Sequence, residues 1–401
     1  MVSAYEDSMD NSSGYSTRTI NVAKGLKANG NDVSVILPKL RSGVRFVEGV
    51  PVYEVNGVCP AFLLRLVGKF SKIAKPSTLY FFDPLFMFRV SRLTKKADIV
   101  QIELPALSFL LSSFIHKTLK KPVIMDCHDV FNALRLKHTN LLRRIVETVL
   151  EKTALKNGDF LVTVSDREKQ ILGSMNFSLK KIAVAPNGVD TAFFSKRFDL
   201  NHIRNKYGLK GTRVVVFVGH LGYVPNQQAL AIISKTIAPK VKKEIKDAKF
   251  LVVGRIREEM NLPNVTFTGY VDNVAELLAV SDVGIAPLLE GSGTRLKILE
   301  YLSSGLPVVS TSVGAEGILA ENGNNILLED RIEKFPGHII ALLKDSELRS
   351  AMGEAAKVLA ENYDWKKITK ELNDQYVLFL NNYRTGARHD ERNFSIKKDA
   401  A

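Results

Sequence analysis

The chain has 401 residues, 45% hydrophobic and 24% charged, with 56 lysines and arginines against 42 acidic residues for a formal net charge of +14. That length exceeds what one hydrophobic core organises, so two globular domains are expected, and the basic excess implies an anionic partner: nucleic acid, a membrane surface or a phosphorylated substrate. Two cysteines, Cys59 and Cys127, exclude a disulfide framework and a cysteine-based structural zinc site, which fits a reducing cytoplasm.

The opening MVSAYEDSMDNSSGY lacks the basic region and apolar core of a secretory signal, so export is not expected. It starts close to where a first strand should end, which leaves that strand's completeness open. Further on, FLLRLVGKFSKIAKPS at 62–77 sets Leu63, Leu66, Val67, Phe70, Ile73 and Ala74 on one helical stripe and Arg65, Lys69 and Lys72 on another. From 61 to 97 there are eight basic residues against one acid, Asp83. A core-packed helix with a solvated basic face would explain the pattern. So would a helix resting on an anionic membrane, each basic residue contributing about 1 kcal/mol near such a surface. The longest apolar run, LYFFDPLFMF, is too short to span a bilayer.

Apolar β-type runs alternate with helical patterns throughout. DVSVILP, ADIVQIE, PVIMDCH, DFLVTVS and KIAVAPN fall in the first half, and RVVVFVG, KFLVVG, NVTFTG, DVGIAPL and LPVVST in the second. Such alternation predicts parallel sheets, whose ligands bind beyond the carboxyl ends of the strands. After PNGVD at 186–190, the polar stretch FSKRFDLNHIRNKYGLKGT reads as an interdomain linker and the entrance to a second α/β domain. A closing helix is expected at 365–384, and the tail 385–401 has too few apolar residues to order itself.

PLLEGSGTRLKILEYLSSGLPVVSTSVGAEG, at 287–317, reads as a glycine-rich loop, a short helix and a buried strand in succession. Gly291 and Gly293 permit close backbone approach, and a helix opening near Thr294 would offer unpaired N–H groups to a phosphate. Arg295 and Lys297 add full positive charge. Glu300, seven residues after Gly293 and three after Lys297, places a carboxylate acceptor on roughly the same face, the combination a sugar nucleotide needs. An ordinary amphipathic helix burying Leu296, Leu299 and Tyr301 is the competing interpretation.

The pattern resembles the donor-site signature of glycosyltransferase family 4, retaining enzymes of the GT-B fold, in a subgroup marked by GTRLK. The resemblance implies an α/β chain of two Rossmann-like, doubly wound domains, 1–188 for the acceptor and 189–364 for the nucleotide sugar, with the last helix crossing back to the first domain. It implies donor contacts at Gly14, Gly219, His220, Tyr270, Val271, Gly291, Ser292, Gly293, Thr294, Leu296 and Glu300. His128 in DCHD, Arg295 and Lys297 are implied in catalysis; Asn226 and Asp129 are further candidates. PNGVD, with Asn187 and Gly188 at its core, matches the family's hinge.

Two departures bear on mechanism. The arginine and lysine usual after the second domain's first strand are absent from FVGHLGYVPNQQAL, leaving Arg295 and Lys297 as the natural replacements. The first of the family's two glutamates falls on Ser292; Glu290, two residues too early, is a further candidate that could reach the site through a longer loop, without the usual role being assigned to it. The implied reaction moves a sugar from a UDP-, GDP- or ADP-linked donor to a glycan, lipid-linked or other membrane-associated acceptor. It needs no metal or other cofactor, because the departing phosphate helps to take the acceptor's proton. Asp126-Cys127-His128-Asp129 could bind a metal by composition, but its strand-to-loop setting favours substrate contact. A sugar-nucleotide epimerase or hydrolase of the same fold, or a non-catalytic nucleic-acid-binding protein, are the alternatives. No zinc-finger, RNP-like or helix-turn-helix pattern supports nucleic acid as a partner, and no G-x-G-x-x-G follows a strand.

Overall fold

A computed structural model describes residues 1–3, 9, 14–57, 83–103, 108–128, 130, 141–255, 262–291 and 294–385. The amphipathic segment at 62–77 and the tail from 386 lie outside these residues. The chain divides into two compact units: Met1–Pro186 with the residues from Ile368 onward, and Asn187–Lys367.

The first unit contains β1 (Val35–Pro38), β2 (Gly43–Val47), β3 (Val50–Val55), β4 (Val100–Glu103), β5 (Val123–Cys127), β6 (Phe160–Thr163) and β7 (Ile182–Val184). β1, β4, β5 and β6 are buried along their whole length, as parallel strands covered on both faces must be. Val2 pairs in parallel with both Ile36 and Ile102. Its N–H donates to the Gln101 carbonyl at 2.7 Å and its own carbonyl accepts from Glu103 N–H at 2.9 Å. Met1–Ser3 therefore joins two sets of strands into the order β2, β3, β1, residues 1–3, β4, β5, β6, β7. The β2–β3 hairpin was not among the expected strands. It turns at Glu48 (φ 49°) and Gly49 (φ 75°), consecutive left-handed residues that suit a two-residue hairpin.

In the second unit, β8 (Arg213–Val218), β9 (Ala248–Val253), β10 (Thr266–Gly269), β11 (Val283–Ala286), β12 (Val308–Ser310) and β13 (Leu327–Leu328) form one parallel sheet in the order β10, β9, β8, β11, β12, β13. This is the doubly wound order of a Rossmann sheet. Alternation along β8 sends Val214 and Val216 into one core and Val215 and Phe217 into the other, so helices cover both faces. The stretch after PNGVD, expected as a linker and the entrance to the second domain, is part of this unit. Asp190 and Asp199 each cap a short helix, Thr191–Phe194 and Leu200–Lys206, by accepting from Phe193 N–H and His202 N–H.

The last helix, Trp365–Thr385, starts in the second unit, where Trp365 N–H reaches the Val189 carbonyl at 3.2 Å, and continues through the first. Phe379 stacks on Phe160 with ring centroids 5.1 Å apart. Closer to its start the helix meets the first helix, Gly14–Ala28, at Gly25. A Cβ there would lie 2.2 Å from Thr369 Oγ1 and 2.5 Å from Thr369 Cβ.

Alanine in place of a mid-helix glycine is ordinarily stabilising by about 1 kcal/mol. At Gly25 the contact with Thr369 reverses the sign, because the Thr369 Cβ cannot swing away as a flexible chain end would. Gly25→Ala should lower unfolding free energy by about 1–3 kcal/mol in denaturant titrations. A stabilised variant would show that the two helices are not in close contact.

Candidate active site

In the second unit the strand order reverses between β8 and β11, and the loops beyond their carboxyl ends bound the crevice such sheets use for ligands. One loop carries Gly219 and His220; the other runs from Pro287 through Gly291. The helix after them is Leu296–Ser303, with Arg295 as its extended N-cap (φ −82°, ψ 105°). It opens later than expected: Thr294 and Arg295 lie before it, because the Arg295 backbone is strand-like. Leu296 and Lys297 occupy its first turn, where there is no acid. Gly305 (φ 69°) ends it, with Leu306 N–H returning to the Tyr301 carbonyl.

Lys297 reaches back to the β8 loop. Its Nζ donates to Asn226 Oδ1 at 2.8 Å and lies 4.1 Å from the Phe217 ring centroid, while Asn226 Nδ2 donates to the His220 carbonyl at 2.9 Å. Gly219 makes room for this pair, since a Cβ there would sit 2.9 Å from the Asn226 amide and 3.1 Å from Lys297 Nζ. Burial lowers the Lys297 ammonium to about 7, assisted by nearby Arg295 and opposed by Glu300. Burial likewise raises the Glu300 carboxyl to about 7, against the pull of Lys297. Both groups therefore titrate near neutrality.

The remaining expected site residues lie on these loops, at the helix start and, for Tyr270 and Val271, just beyond β10. Gly291 (φ 125°) underlies Arg295, whose Nη2 would lie 2.4 Å from a Cβ on it. Thr294 is buried, and its carbonyl accepts from Asn187 Nδ2 at 3.3 Å. Glu290 accepts from Gln228 Nε2 at 2.9 Å, which gives it a partner on the helix Val224–Ile232. Leu296 is half-buried and His220 exposed. Tyr270 is 60% exposed beneath the Arg255 guanidinium, 4.8 Å from its ring centroid, while Val271 packs on the core. Ser292, Gly293 and Asp129 lie outside the described residues.

The first unit gathers a second constellation at the carboxyl ends of β4 and β5. Arg18 grips Asp126 with Nη2 at 3.0 Å and Nε at 3.3 Å, and its Nη1 donates to the carbonyls of Ala185 and Pro186 at 2.9 and 3.2 Å. His128 Nε2 lies 2.7 Å from Glu103 Oε2 and 3.6 Å from Asp126 Oδ2. Gly14 opens the adjoining helix, and the next residue, Tyr15, sets its ring 4.7 Å from that of His128. Burial opposes ionisation of Asp126, yet Arg18 and His128 hold the carboxyl well below the usual range. Burial also disfavours the imidazolium of His128, but Asp126 and Glu103 outweigh it and raise the group to about 9. Donor atoms of Glu103, Asp126 and His128 lie within 4.8 Å of one another. The buried Arg18 guanidinium and the His128 imidazole set two cationic groups against the two carboxylates of that cluster. Sequence reasoning missed Arg18, Gln101, Glu103 and Tyr376. Its available signal was VQIE, a strand with two long polar residues amid apolar ones.

Two Rossmann-type units, one with cationic groups at its switch point, define the GT-B class. Residues 12–193 match the model described as Glycosyltransferase Family 4, and residues 212–345 match Glycosyl transferases group 1. The chain belongs to the glycosyltransferases of the family 4 type. It is 26% identical over 390 residues to the sulfoquinovosyl transferase SQD2 of Arabidopsis thaliana, covering 91% of this chain and 70% of that protein. It is 32% identical over 168 residues to an uncharacterized 44.6 kDa protein in the cps region of Klebsiella pneumoniae, a match spanning 38% of this chain and 43% of that protein. Among solved structures, Anabaena Alr3699/HepE in complex with UDP aligns with TM-score 0.68 at 15% identity, over 90% of this chain and 95% of that one. Neither the epimerase or hydrolase alternative nor the nucleic-acid-binding one finds support in these matches.

Because His128 binds its proton more tightly folded (about 9) than unfolded (about 6.5), its stabilisation is complete below pH 6.5 and disappears as pH rises through 9. The stability difference between the unmodified protein and His128→Gln should therefore shrink by on the order of 3 kcal/mol between pH 6 and pH 9.5. Denaturant melts at the two pH values measure it. A constant difference would mean that folding leaves the imidazole's affinity for its proton unchanged.

Proposed function

We propose that the protein is a retaining glycosyltransferase that moves a sugar from a UDP-linked donor to a glycan or lipid-linked acceptor. The observation that carries this reading is the Lys297–Asn226 pair beside Phe217, beneath the β8 loop at the switch point of the second unit. A half-buried ammonium supported by a neutral amide and an aromatic face gains most from a ligand that brings negative charge. A nucleotide diphosphate is such a ligand. The fold's likeness to HepE, solved with UDP, favours uridine. The sequence around Thr294–Lys297 favours the GTRLK subgroup.

In this reading Lys297, Arg295 and the free N–H groups at the start of Leu296–Ser303 neutralise the charge that develops on the departing diphosphate. The leaving phosphate oxygen accepts the acceptor hydroxyl's proton, so configuration is retained without a protein nucleophile or a metal. Glu300 accepts from the ribose hydroxyls. The Tyr270 ring and Arg255 guanidinium offer the base a stacking surface beside the Gly269 backbone. His128, held as a cation, hydrogen-bonds the sugar or acceptor.

Part of the first unit's surface supports a membrane-associated acceptor and a peripheral, cytoplasmic location. On the edge strand β2, Phe46 is 72% and Val44 58% exposed. Arg89, on the helix Pro84–Thr94, donates to the Asn56 carbonyl at 3.0 Å, and Phe88 and Arg92 on the same helix are exposed. Apolar side chains beside cations suit an anionic bilayer surface. No helix among the described residues is long and apolar enough to cross a membrane.

Diphosphate binding should draw a proton onto Lys297, so above pH 7 the affinity for UDP should fall by up to tenfold per pH unit. Glu300 titrates in the same range with the opposite effect, and Glu300→Gln isolates the lysine. Calorimetry of Glu300→Gln in buffers of different ionisation enthalpy should show proton uptake at pH 8, abolished by adding Lys297→Met. Uptake that survives Lys297→Met would place the anion elsewhere. For the membrane, co-sedimentation with anionic vesicles should weaken with salt and with Phe46→Asp. Unaltered binding in that variant would remove β2 from the contact.

A further inference from the structure

We propose that Tyr376, on the C-terminal helix, is a positioning residue for His128, acting through the side-chain amide of Gln101 and the carboxylate of Glu103. The catalytic part of this inference rests on the function proposed above; the positioning part does not. Every link is a hydrogen bond, buried from Tyr376 to the two carboxylates and part-buried at His128. Tyr376 Oη donates to Gln101 Oε1 at 2.8 Å. Gln101 Nε2 donates to Glu103 Oε1 at 2.8 Å and to Asp126 Oδ2 at 3.2 Å. Glu103 Oε2 then takes the His128 Nε2 at 2.7 Å. Glu103 and Asp126 are wholly buried, and Gln101 and Tyr376 are 3% and 7% exposed.

The direction of each bond follows from the groups. Burial keeps the phenol of Tyr376 protonated, as do the adjacent carboxylates, so the hydroxyl is the donor and Gln101 must present its oxygen there. The amide nitrogen is thereby committed to the two carboxylates. Glu103 divides its oxygens between Gln101 and His128, so the amide sets the plane of the carboxylate and the carboxylate sets the direction of Nε2. Tyr15 holds the ring face. Without the phenol, Gln101 Oε1 would be a buried acceptor lacking its partner. The amide would shift to find another and release Glu103.

Among the described residues, the groups around His128 are Glu103 on β4, Asp126 on β5 with Arg18 behind it, Tyr15 on the first helix, and Tyr376 beyond Gln101. Nuclear magnetic resonance of the ligand-free protein tests the relay through the His128 Cε1–H titration, identified by its loss in His128→Gln. In Tyr376→Phe the carboxylates lose an amide donor and lean harder on the imidazolium, so the His128 midpoint should rise by half a pH unit or more. Gln101→Met should raise it equally, and the double variant no further, because all three break one chain. Thr369→Ala, on the same helix but off the relay, should leave the midpoint in place. With UDP-sugar and acceptor, Tyr376→Phe should lower kcat about tenfold with donor KM unchanged. Altered melting temperature with an unmoved His128 midpoint in both relay variants would overturn the proposal and leave Tyr376 a packing residue. A moved midpoint with normal kcat would uphold the positioning and overturn the catalytic role of His128.

Discussion

The Arg18–Asp126 ion pair is the constraint on which the first unit depends. Both side chains are essentially inaccessible to water. Withdrawing two charges from solvent costs several kcal/mol each unless every donor and acceptor is satisfied. Here that condition organises the fold. The guanidinium, from the first helix, takes two oxygens of Asp126 at the end of β5 and two carbonyls just past β7. Asp126 accepts in turn from Gln101 on β4, which the C-terminal helix reaches through Tyr376. Elements far apart in sequence are thus tied to one pair of charges, and removing either partner would strand the other.

This arrangement explains why the C-terminal helix belongs with the first unit although it follows the second in sequence. Apolar packing of Leu372, Tyr376 and Phe379 buries one helix face. Packing alone tolerates sliding by a turn. The close approach of Gly25 to Thr369 and the Tyr376–Gln101 hydrogen bond each fix an axial position, and together they define one register.

Much of the fold was legible in the sequence because parallel strands are apolar over their whole length. Each of the ten apolar runs expected as strands is one in the structure. The β2–β3 hairpin escaped because it is half-exposed and antiparallel, with mixed polarity and a Glu-Gly turn in place of the more familiar Asn-Gly. The stretch after PNGVD was legible as the entrance to the second unit, but its two aspartate-capped helices are polar enough to look like a tether. At the site, short-range motifs were readable: Lys297 and Glu300 share a helix, and the helix after the β8 loop supplies Asn226. What could not be read was long-range convergence. Arg18, Glu103 and Tyr376 are unremarkable in their own segments and acquire meaning only when strand order brings positions 18, 103, 126 and 376 together.

The two constellations differ in how their charge is balanced, and that difference assigns them different work. In the first unit two cations, Arg18 and His128, face two carboxylates, Glu103 and Asp126, so the cluster is neutral and already satisfied. Such a site holds a proton at a fixed point and orients hydroxyl groups, with little net pull on an anion. In the second unit Lys297 and Arg295 stand near Glu300, and burial has moved both Lys297 and Glu300 to titrate near neutrality. A ligand bearing a diphosphate and a ribose can restore charge to both, because phosphate favours the ammonium and hydroxyl donors favour the carboxylate. The overall charge of +14 therefore says less about the ligand than these few partly desolvated groups do, because surface lysines are screened by salt whereas half-buried ones exchange solvation for a specific anion.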